Sequence, residues 1–180
     1  AASDVYKRQV IDNVKDLVNK RISFIRNRQQ MNNPRDLRDG AYMVYDCEAD
    51  SIYPNNTPNC NPVDRDEGAE RVGMGVLLAK QYLLSDKKDN DLKSSLLRYA
   101  KFLRTRLQTP EYVTYSSVDQ KNRNRAYNYV WIAEFYFYMY RATGNRQFVR
   151  DGYETLRSMF RQFGHGFYGI GYPVCLGLQC

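Results

Sequence analysis

A single histidine, a single tryptophan and six prolines stand in this chain of 180 residues, and several familiar chemical signatures are missing altogether. One histidine excludes multi-histidine metal centres and leaves His165 as the one side chain whose ordinary pKa suits proton transfer near neutral pH. The four cysteines, at 47, 60, 175 and 180, lack the paired C-x-x-C spacing of a zinc site, so no metal is expected. There is no glycine-rich phosphate loop, dinucleotide fingerprint or Ser-His-Asp motif, which argues against nucleotide-dependent chemistry; no cofactor is expected. Zinc-finger spacing, a ribonucleoprotein motif and a compact basic reading helix are also missing, so nucleic acid is not the expected partner. No apolar run reaches the roughly 18 residues that cross a bilayer, and membrane insertion is not expected.

What is present points to a globular helical chain. Hydrophobic residues make up 43% and aromatics 14%, enough for one sizeable core. The 16 tyrosines pair a broad apolar face with a polar edge, which suits helix packing as well as a groove for sugars or peptides. A formal net charge of +7, spread along the chain, favours an anionic partner, and an acidic polysaccharide fits. Cys47 and Cys60 flank an Asn- and Pro-rich stretch; a bridge between them in an oxidising compartment and two free buried thiols are equally open readings. Asn55-Asn56-Thr57 matches a glycosylation sequon. Residues 1–9 resemble a translated library-adapter end and are read as a non-native leader, leaving 10–180 as one domain.

Apolar residues at 10, 14, 17, 18, 22 and 25 predict a first helix from Val10 to about Met31, ended by Asn32-Asn33-Pro34. A long connection, 34–64, follows; it contains a short extended segment at Ala41–Tyr45. A second helix is predicted over Asp66–Leu84, with Asp66 and Glu67 at its positive end and Val72, Val76, Leu77 and Leu83 on one side. Gly68, Ala69, Gly73 and Gly75 would let another helix approach it closely. A third runs from Asp91 to Leu107, before Pro110. The fourth and fifth, Tyr127–Ala142 and Arg146–Phe163, are separated only by Thr143-Gly144-Asn145. There Gly144 suits a left-handed C-terminal position and Asn145 an N-cap, making a tight αα-hairpin. Trp131, Phe135 and Met139 are expected to face Phe148, Leu156 and Phe160. Residues 164–173 read as a loop, and 174–180 restart an apolar pattern.

These helix pairs, the Tyr-rich fourth helix and the phrase Tyr140-Arg141-Ala142-Thr143-Gly144-Asn145 resemble the six-hairpin, (α/α) toroid glycosidases and their lyase relatives. The resemblance implies an all-α fold of antiparallel αα-hairpins forming part of an (α/α)6 toroid, and a fragment of a larger carbohydrate-active enzyme. It implies a substrate cleft among loops at one end of the inner helices.

Glycoside hydrolysis uses two carboxyl groups, one protonated and one ionised. Asp66, Glu67 and Glu70 are the candidate catalytic acids, with Asp46, Glu48 or Asp50 as the opposing member; the same acids suit helix N-termini and ion pairs. A lyase instead neutralises a uronate carboxylate and moves a proton at carbon. Asn124, Arg125, Tyr127 and Asn128 fit part of that set, as the resemblance to toroid lyases implies. Tyr127 and Trp131, four apart, offer an aromatic platform for a sugar, with core packing the simpler role for Trp131. His165, between two glycines, is the further catalytic candidate. The principal expectation is a glycoside hydrolase acting on a polysaccharide, then a polysaccharide lyase, then a non-catalytic helical-repeat binding protein. Against the last, no period of about 34 residues repeats.

Overall fold

The computed structural model describes residues 13–52, 66–119, 124–166 and 171–180. They form an all-α fold: α1 (Val14–Phe24), α2 (Val72–Leu84), α3 (Asn90–Phe102), α4 (Ala126–Thr143), α5 (Arg146–Phe163) and the short α6 (Val174–Leu178). The sequon, Cys60 and the leader lie outside the described residues, and Cys47 is an exposed thiol. No helix among the described residues is long and apolar enough to cross a membrane.

α2 and α4 pack side by side, with α5 along α4, α1 and α3 beside α2, and α6 against α4 and α5. The two central helices run parallel. Glu70, just before α2, meets Arg125, just before α4, at 2.8 Å, and further along Lys80 meets Glu134 at 3.9 Å. The main core fills the space between these elements, with Ile25, Tyr42, Leu78, Leu96, Tyr99, Leu103, Phe135 and Tyr136 all buried. A smaller cluster of Ala126, Tyr129, Val130 and Met159 closes the end where α4 begins.

The α4–α5 hairpin forms where expected. Gly144 takes φ 72°, a left-handed value that costs glycine no Cβ clash, and its N–H returns to the Tyr140 carbonyl at 2.7 Å. Asn145 then caps α5 by accepting the Gln147 N–H at 2.9 Å. The contacts across the hairpin differ from expectation. Tyr136, rather than Trp131, stacks on Phe148 with centroids 6.3 Å apart, and Phe160 lies outside against Tyr172 at 5.9 Å. α4 is apolar on several sides because it sits between α2 and α5, and Trp131 packs toward the main core.

Three helix ends depart from the simple periodic reading. The first and third α-helices stop at Phe24 and Phe102, and each continues as a five-residue π-helical turn, Ile25–Gln29 and Leu103–Leu107. Side chains still recur through such a turn, so periodicity does not reveal the changed hydrogen-bond register. In α1 the buried positions are at the C-terminal end; Val14 is 66% exposed. α2 begins at Val72, after a 3₁₀ turn at Ala69–Arg71, so Asp66 and Glu67 precede the helix instead of opening it. Leu77 is exposed, contrary to its expected inward place. Of the small residues, Gly75 makes the close approach: a Cβ there would stand 2.6 Å from the Tyr99 ring.

The long connection contains an antiparallel hairpin of β1 (Tyr45–Asp46) and β2 (Ser51–Ile52), paired Tyr45 to Ile52 and Asp46 to Ser51. The extended segment ahead of it lies beside the first π turn through a Gln30–Tyr42 bridge.

Candidate functional site

The starts of α2 and α4 lie at the same end of the molecule, and the loop 115–119 joins them. The Ala69 N–H donates to the Ser116 carbonyl at 2.9 Å, and the Val44 N–H donates to the Asp66 carbonyl at 3.2 Å. Glu67, fully buried, accepts the Val118 N–H at 3.2 Å. Asp66 is buried beside it. Arg38 holds its proton more firmly than a free guanidinium, first through its hydrogen bond to Asp36 and then through the charges of Asp36, Glu67 and Asp66. Two of the expected catalytic acids thus occupy a buried seam between three segments.

Glu70 and Arg125 form the more open part of the site. Their side chains are 27% and 30% exposed, and the guanidinium also donates from Nε to Ser116 Oγ at 3.1 Å. Asn128, in the first turn of α4 and fully buried, donates from Nδ2 to the same hydroxyl at 3.1 Å. The Ser116 hydroxyl therefore fixes both the cation and the helix start. Tyr127 is 40% exposed, with its ring over Trp131 at a centroid distance of 6.0 Å and 26° between planes.

Asn124 ties the same end to α5. Its amide donates to Gln162, and its carbonyl accepts the Tyr129 hydroxyl, which itself accepts the Gln162 amide at 2.8 Å and the Thr114 N–H at 3.0 Å. Three hydrogen bonds saturate that phenol. The turn Gly164–Gly166 that contains His165 begins two residues after Gln162, so its backbone belongs to this end of the hairpin; the His165 side chain lies outside the described residues.

Asp46 has a different setting. It accepts the N–H groups of Glu48 and Ala49 at 2.9 and 3.1 Å, closing the turn between β1 and β2. Asp50 pairs with Arg28 at 2.7 Å and accepts the Tyr45 hydroxyl at 2.8 Å. Sequence reading found Glu70 and Arg125 but set them in competing mechanisms; the fold joins them across 55 positions. It missed Ser116, Gln162 and Arg38, whose neighbours carry no local spacing signal.

No protein-family model matches the chain, and no curated protein does. The chain is similar to a solved structure described as a polysaccharide lyase, at 74% sequence identity over 94% of this chain, with a TM-score of 0.90. It spans 25% of that structure's chain.

Proposed function

We propose that this chain is the helical part of a polysaccharide lyase acting on a uronate-bearing glycan, with parallel α2 and α4 as inner helices of an (α/α) toroid and α1, α3 and α5 as its outer helices. The observation that carries the reading is the 74% identity over nearly the whole chain to a structure described as a polysaccharide lyase. It favours elimination over the hydrolysis first expected. The burial of Asp66 and Glu67 and the pairing of Glu70 with Arg125 support the same choice, because they suit stitching and positioning better than an open acid pair.

Elimination removes the proton on the carbon next to the uronate carboxylate. A carbon–carbon double bond forms, the adjacent glycosidic C–O bond breaks, and the departing oxygen takes a proton. The carbanion-like transition state spreads charge onto the carboxylate, so a fixed cation lowers the barrier. In this reading Arg125 supplies that cation, held by Glu70 and Ser116, and the 164–166 turn brings His165 to the same end for proton transfer.

The test is a chimera in which this chain replaces the matching quarter of the lyase it resembles, supplied with neutral and uronate-bearing polysaccharides. Ultraviolet absorbance of unsaturated uronides should rise together with reducing ends, and Arg125→Ala should lower the rate about 100-fold. Reducing ends without absorbance would return the hydrolase; neither signal would leave this chain without a part in catalysis.

A further inference from the structure

The outward face of α5 carries a row of cations. Arg146, Arg150, Tyr153, Arg157 and Arg161 follow at intervals of four, three, four and four residues, which sets them on one side of the helix, and all five are exposed. The opposite side packs onto α4, with Phe148, Thr155 and Met159 buried and Gly152 against the Phe137 ring. Fifteen residues of helix give the row a length of roughly 22 Å. Of the two acids on this helix, Glu154 meets Arg157 at 3.0 Å, and Asp151 is buried and accepts from Tyr112 and Gln147 instead. Arg146, Arg150 and Arg161 meet no carboxylate among the described residues. The contrast with the rest of the fold is plain: Arg26, Arg28, Arg38, Arg98 and Arg125 each pair with an acid. Helix stability does not account for the row either. Arg146 stands in the first turn, where the helix dipole favours acids, and that turn has none. At the other end Arg161 precedes Gln162, whose side chain meets Asn124 beside Arg125. The row therefore starts at the end of the molecule that holds the candidate site and runs away from it over the outside.

We infer that this row is a second glycan-binding surface, separate from the cleft, which holds a strand of polyuronate outside the site. Charge complementarity selects the occupant. A polyuronate repeats a carboxylate on every sugar, and a guanidinium meets a carboxylate through two parallel N–H donors, a geometry that Lys does not offer. All four cations of α5 are Arg. Tyr153, 59% exposed between Arg150 and Arg157, adds an apolar contact for a strand that lies along the row. Two weak attachments on one strand make a stronger one, so a polymer gains from the row while a short oligosaccharide that fills only the cleft does not. The polyuronate class rests on the proposed lyase reading; the unpaired arginines do not.

Retardation of the 180-residue chain in gels containing polygalacturonate or alginate, with hydroxyethylcellulose as the neutral control, reads the binding. At least one acidic polymer should retard the chain, less so as salt rises. Replacing Arg146, Arg150 and Arg161 together by Gln should weaken binding about tenfold. Lys87→Gln, Lys88→Gln and Lys101→Gln together remove as much exposed charge and should change it less than about twofold. In the lyase chimera the arginine variant should raise KM for the polymer about tenfold and leave kcat, and KM for a short oligouronide, unchanged. No retardation by either acidic polymer, equal losses in the two triple variants, or tighter binding to duplex DNA or phosphatidylserine vesicles through the same arginines overturns the surface. A chimera that forms unsaturated product with the same polymer KM in the arginine variant keeps the lyase and removes the surface. Retardation lost in the arginine variant, beside a chimera that forms no unsaturated product, keeps the surface and removes the lyase.

Discussion

The chain turns the same kind of corner twice, at Phe24–Gln30 and Phe102–Gln108, with related sequences: Phe-Ile-Arg-Asn-Arg-Gln-Gln and Phe-Leu-Arg-Thr-Arg-Leu-Gln. In each, an α-helix relaxes into a π turn, an apolar residue is buried at its first position, and the closing glutamine forms an antiparallel bridge, to Tyr42 or to Thr114. The partners differ. Gln108 is buried, donates to Thr114 and Thr155 at 3.0 and 2.9 Å, and accepts the Tyr136 hydroxyl at 2.8 Å. Gln30 is half-buried, donates to the carbonyls of Gly40 and Ser95, and accepts from Ser95 Oγ. One backbone device therefore serves two purposes. The second corner locks three elements through side chains beneath the proposed site, while the first anchors the entry to a long connection.

The largest expected effect separates these corners directly. Gln108→Ala strips partners from a buried phenol and two threonines and should cost about 3 kcal/mol in urea unfolding, against about 1 kcal/mol for Gln30→Ala. Equal losses would break the distinction. Acid should find the first corner next. Its loop contains Asp36, held down to a pKa of about 2 chiefly by the Arg38 hydrogen bond. A depressed carboxyl stabilises the fold above its unfolded pKa and loses that contribution as pH falls. Up to about 2 kcal/mol should therefore disappear between about pH 4 and pH 2, a loss that Asp36→Asn removes from the acid titration. The smallest effect is at Arg26, 3.4 Å from Asp89 in a partly exposed pair; Arg26→Ala should cost under about 1 kcal/mol and less in high salt.

The fourth and fifth helices were legible to within a residue because their periodicity is long and Gly144-Asn145 punctuates it with specific backbone chemistry. The start of α2 was not. Asp66 and Glu67 have the composition of a helix opening, but they lie in a turn ahead of a 3₁₀ turn that the Ala69 N–H ties to the Ser116 carbonyl, and such a long-range bond leaves no local trace. The repeated corner escaped for a related reason: its two copies are 78 positions apart and separated by a long irregular connection. At the candidate site, Arg125 and Glu70 were visible as residue types, whereas their pairing and the Ser116 hydroxyl that braces it depend on the packing of α2 against α4.

The two-residue connection between α4 and α5 also bears on the order in which the chain becomes structured. Closing so short a loop costs little chain entropy, and the contacts it brings together are close in sequence. Docking α2 against α4 must bring Glu70 to Arg125 across a much longer span. The α4–α5 hairpin is thus expected to form first, as a surface onto which the amino-terminal half condenses, and φ-values of about 1 in the hairpin and about 0 in α1 would bear this out. Lengthening the connection at Gly144 should slow folding more than it weakens the finished protein.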